Sequence, residues 1–261
     1  ARYRVRKLTE NCVACHARTP GDAGGEFGLR LFHGMNVERL DLEELAQLQQ
    51  ATRQFEASLL NYEDLLGRPG AARVWSVADY LSLSLRVRGD LDRPQPVLSA
   101  LAADDAVPAY LREDIGVWLA DLKALSARPR TSDRLAEADA LIEHARDRQD
   151  FPADRQGLAY FLTAARHLDA FLAENPRGQR AAEAYYLLGM VEARLGTSPD
   201  LGQAEYLLEA AIRQAPGTEV ARKALTRLEW HLAIEYSGSA GQTLPAQVRE
   251  SLDELRRLAG D

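Results

Sequence analysis

The chain has 261 residues, 46% of them hydrophobic and 27% charged, with 32 Lys and Arg against 39 Asp and Glu and a net charge of −7. Such a balance leaves no basic face for neutralising phosphates, which excludes nucleic acid as the expected partner. No stretch approaches the ~18 continuous apolar residues of a membrane span, and the length admits one large or two modest domains.

The first chemically loaded stretch is CVACH, residues 12–16, which contains both cysteines of the chain and sets a histidine directly after the second. Composition alone would produce that arrangement roughly once in several thousand chains of similar make-up. A structural zinc site wants four ligands, and beyond Cys12 and Cys15 no cysteine remains. A thioredoxin-type pair belongs at a strand-to-helix junction, and the flanks show no strand-crossover pattern. The remaining reading is covalent haem c. Thiols at i and i+3 lie on one helical turn, where both can add to the vinyl groups on one porphyrin edge. On these five residues, with the short helical lead-in Lys7 to Asn11, the chain resembles the c-type cytochromes. The resemblance implies one covalent haem, with Cys12 and Cys15 as thioether links and His16 as proximal iron ligand.

The sixth ligand is expected from LRLFHGMNVERL, because His33 and Met35 are the only good iron ligands between residues 17 and 130. Met35 follows the apolar residues Leu29, Leu31 and Phe32 in a Gly-containing loop and is the preferred ligand, with His33 as alternative and an open site as the third possibility. The chain departs from the usual cytochrome pattern in two ways. Pro20 comes soon after His16, and no Met occupies the usual loop some tens of residues later.

From Asp41 the run DLEELAQLQQATRQFEASLLNYEDLL predicts one long amphipathic helix. Its stripe is Leu45, Leu48, Thr52, Phe55, Leu59, Tyr62 and Leu66, with Asp41 as N-cap and Glu44 completing a capping box. GRPG, residues 67–70, stops it. A second helix is predicted near Trp75. A third follows Pro108 and carries Leu111, Ile115, Trp118, Leu119, Leu122 and Leu125. These helices are expected to cover a haem. Cytochrome c′ is a poor match, since its CxxCH lies in the last helix and here it precedes every long one. SARPRTSD, residues 126–133, reads as a boundary.

Beyond it the sequence repeats at an offset of 40 residues. Ala164 superposes on Ala204, Leu168 on Leu208, Phe171 on Ala211 and Pro176 on Pro216. Small residues at a close crossing, a large apolar partner four on and Pro past the helix end suit stacked helix pairs. Residues 133–236 resemble the tetratricopeptide family, closest to the longer repeats of bacterial outer-membrane assembly lipoproteins. Tyr185, Leu188 and Gly189 match first-helix positions, and Ala204, Leu208, Ala211 and Pro216 second-helix positions. Tyr160, Tyr185, Tyr186 and Tyr206 are read as packing rather than groove residues, and His144, His167 and His231 as surface residues. PAQVRESLDELRRLAG is read as a polar capping helix.

The expected fold class is therefore all-α. A monohaem cytochrome c-like helical domain spans residues 1–130, and a tetratricopeptide-like solenoid spans 131–261. The expected function is electron transfer, not enzymatic turnover, with the repeats docking a redox protein or an envelope complex. The alternatives are an envelope assembly or scaffold protein with structural or sensing haem, or a haem peroxidase with an open distal site. Cytochrome c maturation places the protein in the bacterial periplasm. The start at Ala1, with Arg2, Arg4, Arg6 and Lys7 and no apolar core, is read as a removed signal or anchor. Membrane association is expected only through such a segment.

Overall fold

A computed structural model of the chain describes Arg30 and residues 37–129, 131–149, 154–195, 202–238, 241–242 and 244–260. Among these the architecture is all-α, with eleven α-helices and one antiparallel ladder of two residues per strand, Ser237–Gly238 against Gly241–Gln242. Two compact units emerge, and two helices run across the division. One takes the described residues up to Ser132 together with Ala140–Arg166, the other Asp133–Asp139 and His167–Asp261.

In the first unit, helix α1 (Leu42–Ala51) opens on the expected capping box. The Glu44 amide donates to Asp41 Oδ1 at 2.9 Å, and the Asp41 amide donates to Glu44 Oε2 at 3.2 Å. Two of the helix's orphan donors are thereby satisfied. The single helix expected over residues 41–66 is broken, since α2 spans Phe55–Leu66 and Arg53 between them has φ 62°. The reason is local. Gln49, Gln50, Thr52, Arg53 and Gln54 form an almost wholly polar run. Within it the Thr52 hydroxyl donates to the Leu48 carbonyl at 2.8 Å, and the Gln54 amide returns to Gln49 at 2.8 Å. Folding back then lets α2 pack on α1, where Ser58 Oγ donates to the Ala46 carbonyl at 2.7 Å and Asn61 Nδ2 to Gln49 Oε1 at 2.7 Å. Phe55, Leu59, Tyr62 and Leu66 are buried as their spacing predicts.

Helix α3 (Val74–Leu81) begins where Trp75 predicts and continues into a π-helical stretch, Ser82–Arg88. Gly89 ends it at φ 66°, and a Cβ there would lie 2.2 Å from the Arg166 guanidinium carbon. The left-handed backbone favours glycine there, whereas the tip of the Arg166 side chain can move aside. Asp90 Oδ1 accepts from the Asp92 and Arg93 amides, and Pro94 sets the first turn of α4 (Pro94–Ala103). An ion network ties α2 to this junction. Arg93 donates to Glu63 at 2.6 Å and to Glu56 at 2.8 Å, and the Tyr80 hydroxyl donates to Glu63 at 3.0 Å. Arg93 holds the Glu56 carboxyl below the usual range. Burial first, and then the Glu63 charge, push the Tyr80 phenol up.

Helix α5 (Ala109–Ser126) buries Leu111, Ile115, Trp118, Leu122 and Leu125, while Leu119 is half-buried. Each fully buried aliphatic side chain contributes about 1.5–3 kcal/mol. Helices α6 (Arg134–Asp147) and α7 (Leu158–Glu174) are the two that cross between units. Within the first unit, Gly157 lies so close to α6 that a Cβ would sit 2.5 Å from the Ala145 carbonyl oxygen. Trp118 Nε1 donates to the Arg155 carbonyl at 2.9 Å, and the Arg155 guanidinium lies 4.7 Å from the Trp75 ring.

The second unit is built from α8 (Gln179–Leu195), α9 (Gly202–Gln214), α10 (Glu219–Glu235) and α11 (Ala246–Ala259). Each helix packs on the next, and also on the next but one. At Gly189 helices α8 and α9 meet closely, since a Cβ there would lie 3.1 Å from Leu208 Cγ and 3.4 Å from the Ala204 carbonyl oxygen. The aligned pairs Ala164 and Ala204, Leu168 and Leu208, and Phe171 and Ala211 are all buried. After each aligned proline comes a left-handed glycine, Gly178 at φ 98° and Gly217 at φ 71°. Gly189→Val is expected to destabilise the protein by about 1–3 kcal/mol through overpacking against Leu208. A urea midpoint equal to that of the unmodified protein would show that the crossing tolerates a side chain. Helix α11 buries Leu252, Leu255 and Ala259 and turns charges outward, with Glu254 held by Arg213 at 2.7 Å and Arg256 by Glu229 at 2.6 Å.

Candidate functional site

The haem ligand set expected from the sequence, Cys12, Cys15, His16 and Met35 with His33 as alternative, lies outside the described residues. As a donor set, two thiols beside an imidazole, with a thioether or second imidazole further on, suit covalent haem c. Several apolar side chains of the described helices expected to cover a haem are turned inward. Leu59, Tyr62, Leu111, Ile115, Trp118 and Leu122 are all fully buried within the chain itself. Among the described residues no group of three or more His, Cys, Asp or Glu side chains is placed to hold a metal ion. No helix among them is long and apolar enough to cross a membrane.

The three histidines read as surface residues fall into different environments. His144 is exposed, its ring 5.7 Å from that of Tyr160. His167 is half-buried. His231 corrects the reading, since only 3% of it is exposed. It sits on the core face of α10 between Leu228 and Leu232, a position that its charged neighbours in sequence conceal. Its Nε2 has no hydrogen-bond partner among the described residues. Burial first, and then the nearby Arg227 and Arg194 charges, push its pKa down to about 4, so the imidazole is neutral at pH 7. The Trp230 ring meets His231 edge-on at 5.1 Å, and the Arg227 guanidinium lies 4.4 Å from the Trp230 ring.

One turn further along α10, Glu235 shares a hydrogen bond with Glu205 of α9. Burial first, and then that bond, push the Glu205 carboxyl up to about 7. Two carboxyl groups bond in this way only when one holds a proton. Tyr206, Trp230 and Ile234 stand exposed on the same two helices. The exposure of Tyr206 corrects its reading as a packing residue, and sequence reasoning misses Trp230 and Ile234; their i, i+4 spacing beside Arg227 is the available signal. Of the other tyrosines, Tyr160 is buried, and Tyr185 and Tyr186 pack on the apolar cluster formed by α9, α10 and α11, which agrees with the packing reading.

No family model, no curated protein and no solved structure matches this chain.

Proposed function

We propose that the chain is a monohaem c-type cytochrome that carries electrons, with a tetratricopeptide-like second part that docks a redox protein or an envelope complex. The observation that carries this reading is CVACH in a chain with no other cysteine. Cys12 and Cys15 would hold the porphyrin covalently and His16 its iron, with Met35 or His33 as the other axial ligand. The haem, when bound, supplies reversible one-electron chemistry. The chain's part is to anchor the group, fix both axial positions and limit water around them. Maturation of such a group implies an exported bacterial protein.

The docking reading is supported by three features of the second part. Two helices approach closely at Gly189, the residues aligned 40 apart are buried, and left-handed glycines follow both aligned prolines. Helix pairs of this kind bury one face against their neighbours and leave another for a partner.

Protein produced in a host competent for cytochrome c maturation should carry the mass of one haem and show a low-spin absorption spectrum in both oxidation states. A colourless product of bare polypeptide mass refutes the proposal. A high-spin spectrum that responds to carbon monoxide or peroxide replaces electron transfer with the sensing or peroxidase alternative.

A further inference from the structure

We propose that Asp121 makes the seat of the Arg148 segment on helix α5 a proton-operated joint, closed while the carboxyl holds its proton and loosened when the proton leaves to solvent. Asp121 falls within the face of α5 that buries Trp118, Leu122 and Leu125, and it is 0% exposed. Neither carboxylate oxygen accepts a hydrogen bond from the described residues. Arg148 Nη2 lies 3.1 Å from Oδ1, an ion-pair contact that lacks hydrogen-bond geometry, and the arginine side chain is 47% exposed. A carboxylate in an apolar stripe with one half-solvated cation beside it is poorly compensated, because burial penalises the charge and the missing donors leave its lone pairs unmet.

Arg148 is the charged group that acts on Asp121. A separate ionisable cluster comprises Asp114 and Glu113 on the same helix with Asp154 and Arg155. In it, Arg155 offsets the burial that raises Asp114. Burial pushes Asp121 up to about 6, and Arg148 only partly offsets it. The sign follows from linkage. The closed form binds the proton more tightly than the open form, in which Asp121 has an ordinary pKa of about 3.9. Closure is therefore strongest below the ordinary value and is lost as pH rises through the range up to about 6. Between pH 5 and pH 8 the closed-to-open ratio should fall about tenfold.

The test is amide hydrogen exchange of the full chain at pH 5 and pH 8, corrected for intrinsic rates, read at residues 142–149 and 118–125. The unmodified protein should lose about tenfold in protection at pH 8. Asp121→Asn, which keeps the shape without the charge, should hold its protection across that interval. Arg148→Gln should deepen the loss. A ¹³C titration of the Asp121 carboxyl in the unmodified protein gives a second measurement that needs no variant, with a midpoint of about 6 expected. Equal pH dependence in the unmodified and Asp121→Asn proteins overturns the proposal, as does a carboxyl that titrates in the ordinary range.

Discussion

Replacing Cys12 and Cys15 together by Ser is expected to abolish covalent haem while leaving the helical body folded. Thioether attachment needs sulfur nucleophiles, and serine hydroxyls do not substitute for thiols in that chemistry. Denaturing electrophoresis followed by a haem stain should show a coloured band for the unmodified chain and none for the variant. Far-ultraviolet circular dichroism of the two should agree, because the described cores of both units are built from residues far along the chain, such as Leu59, Trp118, Leu208 and Leu228. A stain that survives the double replacement removes the cytochrome reading altogether. Loss of the stain together with loss of helicity would instead show that the helices need the haem in order to fold.

Trp118→Ala should be the most damaging single substitution in the described core. Trp118 is the largest fully buried side chain among the described residues, and truncating such a residue costs about 3–5 kcal/mol in lost transfer energy and cavity formation. The Arg155 carbonyl would also lose its indole donor, which adds about 1 kcal/mol or more. Against a typical total of about 5–15 kcal/mol, that leaves the protein close to its unfolding threshold. Trp118→Phe separates the contributions, since it keeps most of the volume and loses only the donor. Urea unfolding should rank the unmodified chain first, Trp118→Phe second and Trp118→Ala a distant third. An alanine variant within about 1 kcal/mol of the parent, the loss expected of an average substitution, would contradict the packing around Trp118.

Helix existence is legible wherever apolar residues recur at three and four, as in Leu111, Ile115, Trp118, Leu122 and Leu125. The capping box at Asp41 is legible because it is a local pattern of two side chains and two amides. The reversal at Arg53 is not, because heptad spacing survives a tight turn: Phe55 resumes the apolar phase that Leu48 leaves. The π-helical stretch after Leu81 has no signature that a 3.6-residue period can register. At His231 the flanking charges mislead, since they describe the helix as a whole, whereas burial depends on which side of α10 each residue occupies. The better guide there is the spacing of four and then three that runs from Ala224 through Leu228 to His231, all of them buried. Asp121 escapes notice for a related reason, since an acid within an apolar stripe counts against the stripe when only periodicity is scored. The haem ligands themselves are legible only as chemistry, through residue types and their spacing at positions 12–16.

The widened turn between Ser82 and Arg88 also has a bearing on how this scaffold tolerates change. A helix wound more loosely holds surplus backbone in reserve, and withdrawing one residue tightens the coil without reversing its heading. The loss of one residue between Ser82 and Arg88 can therefore be absorbed inside the rod, leaving the ion network beyond it in register.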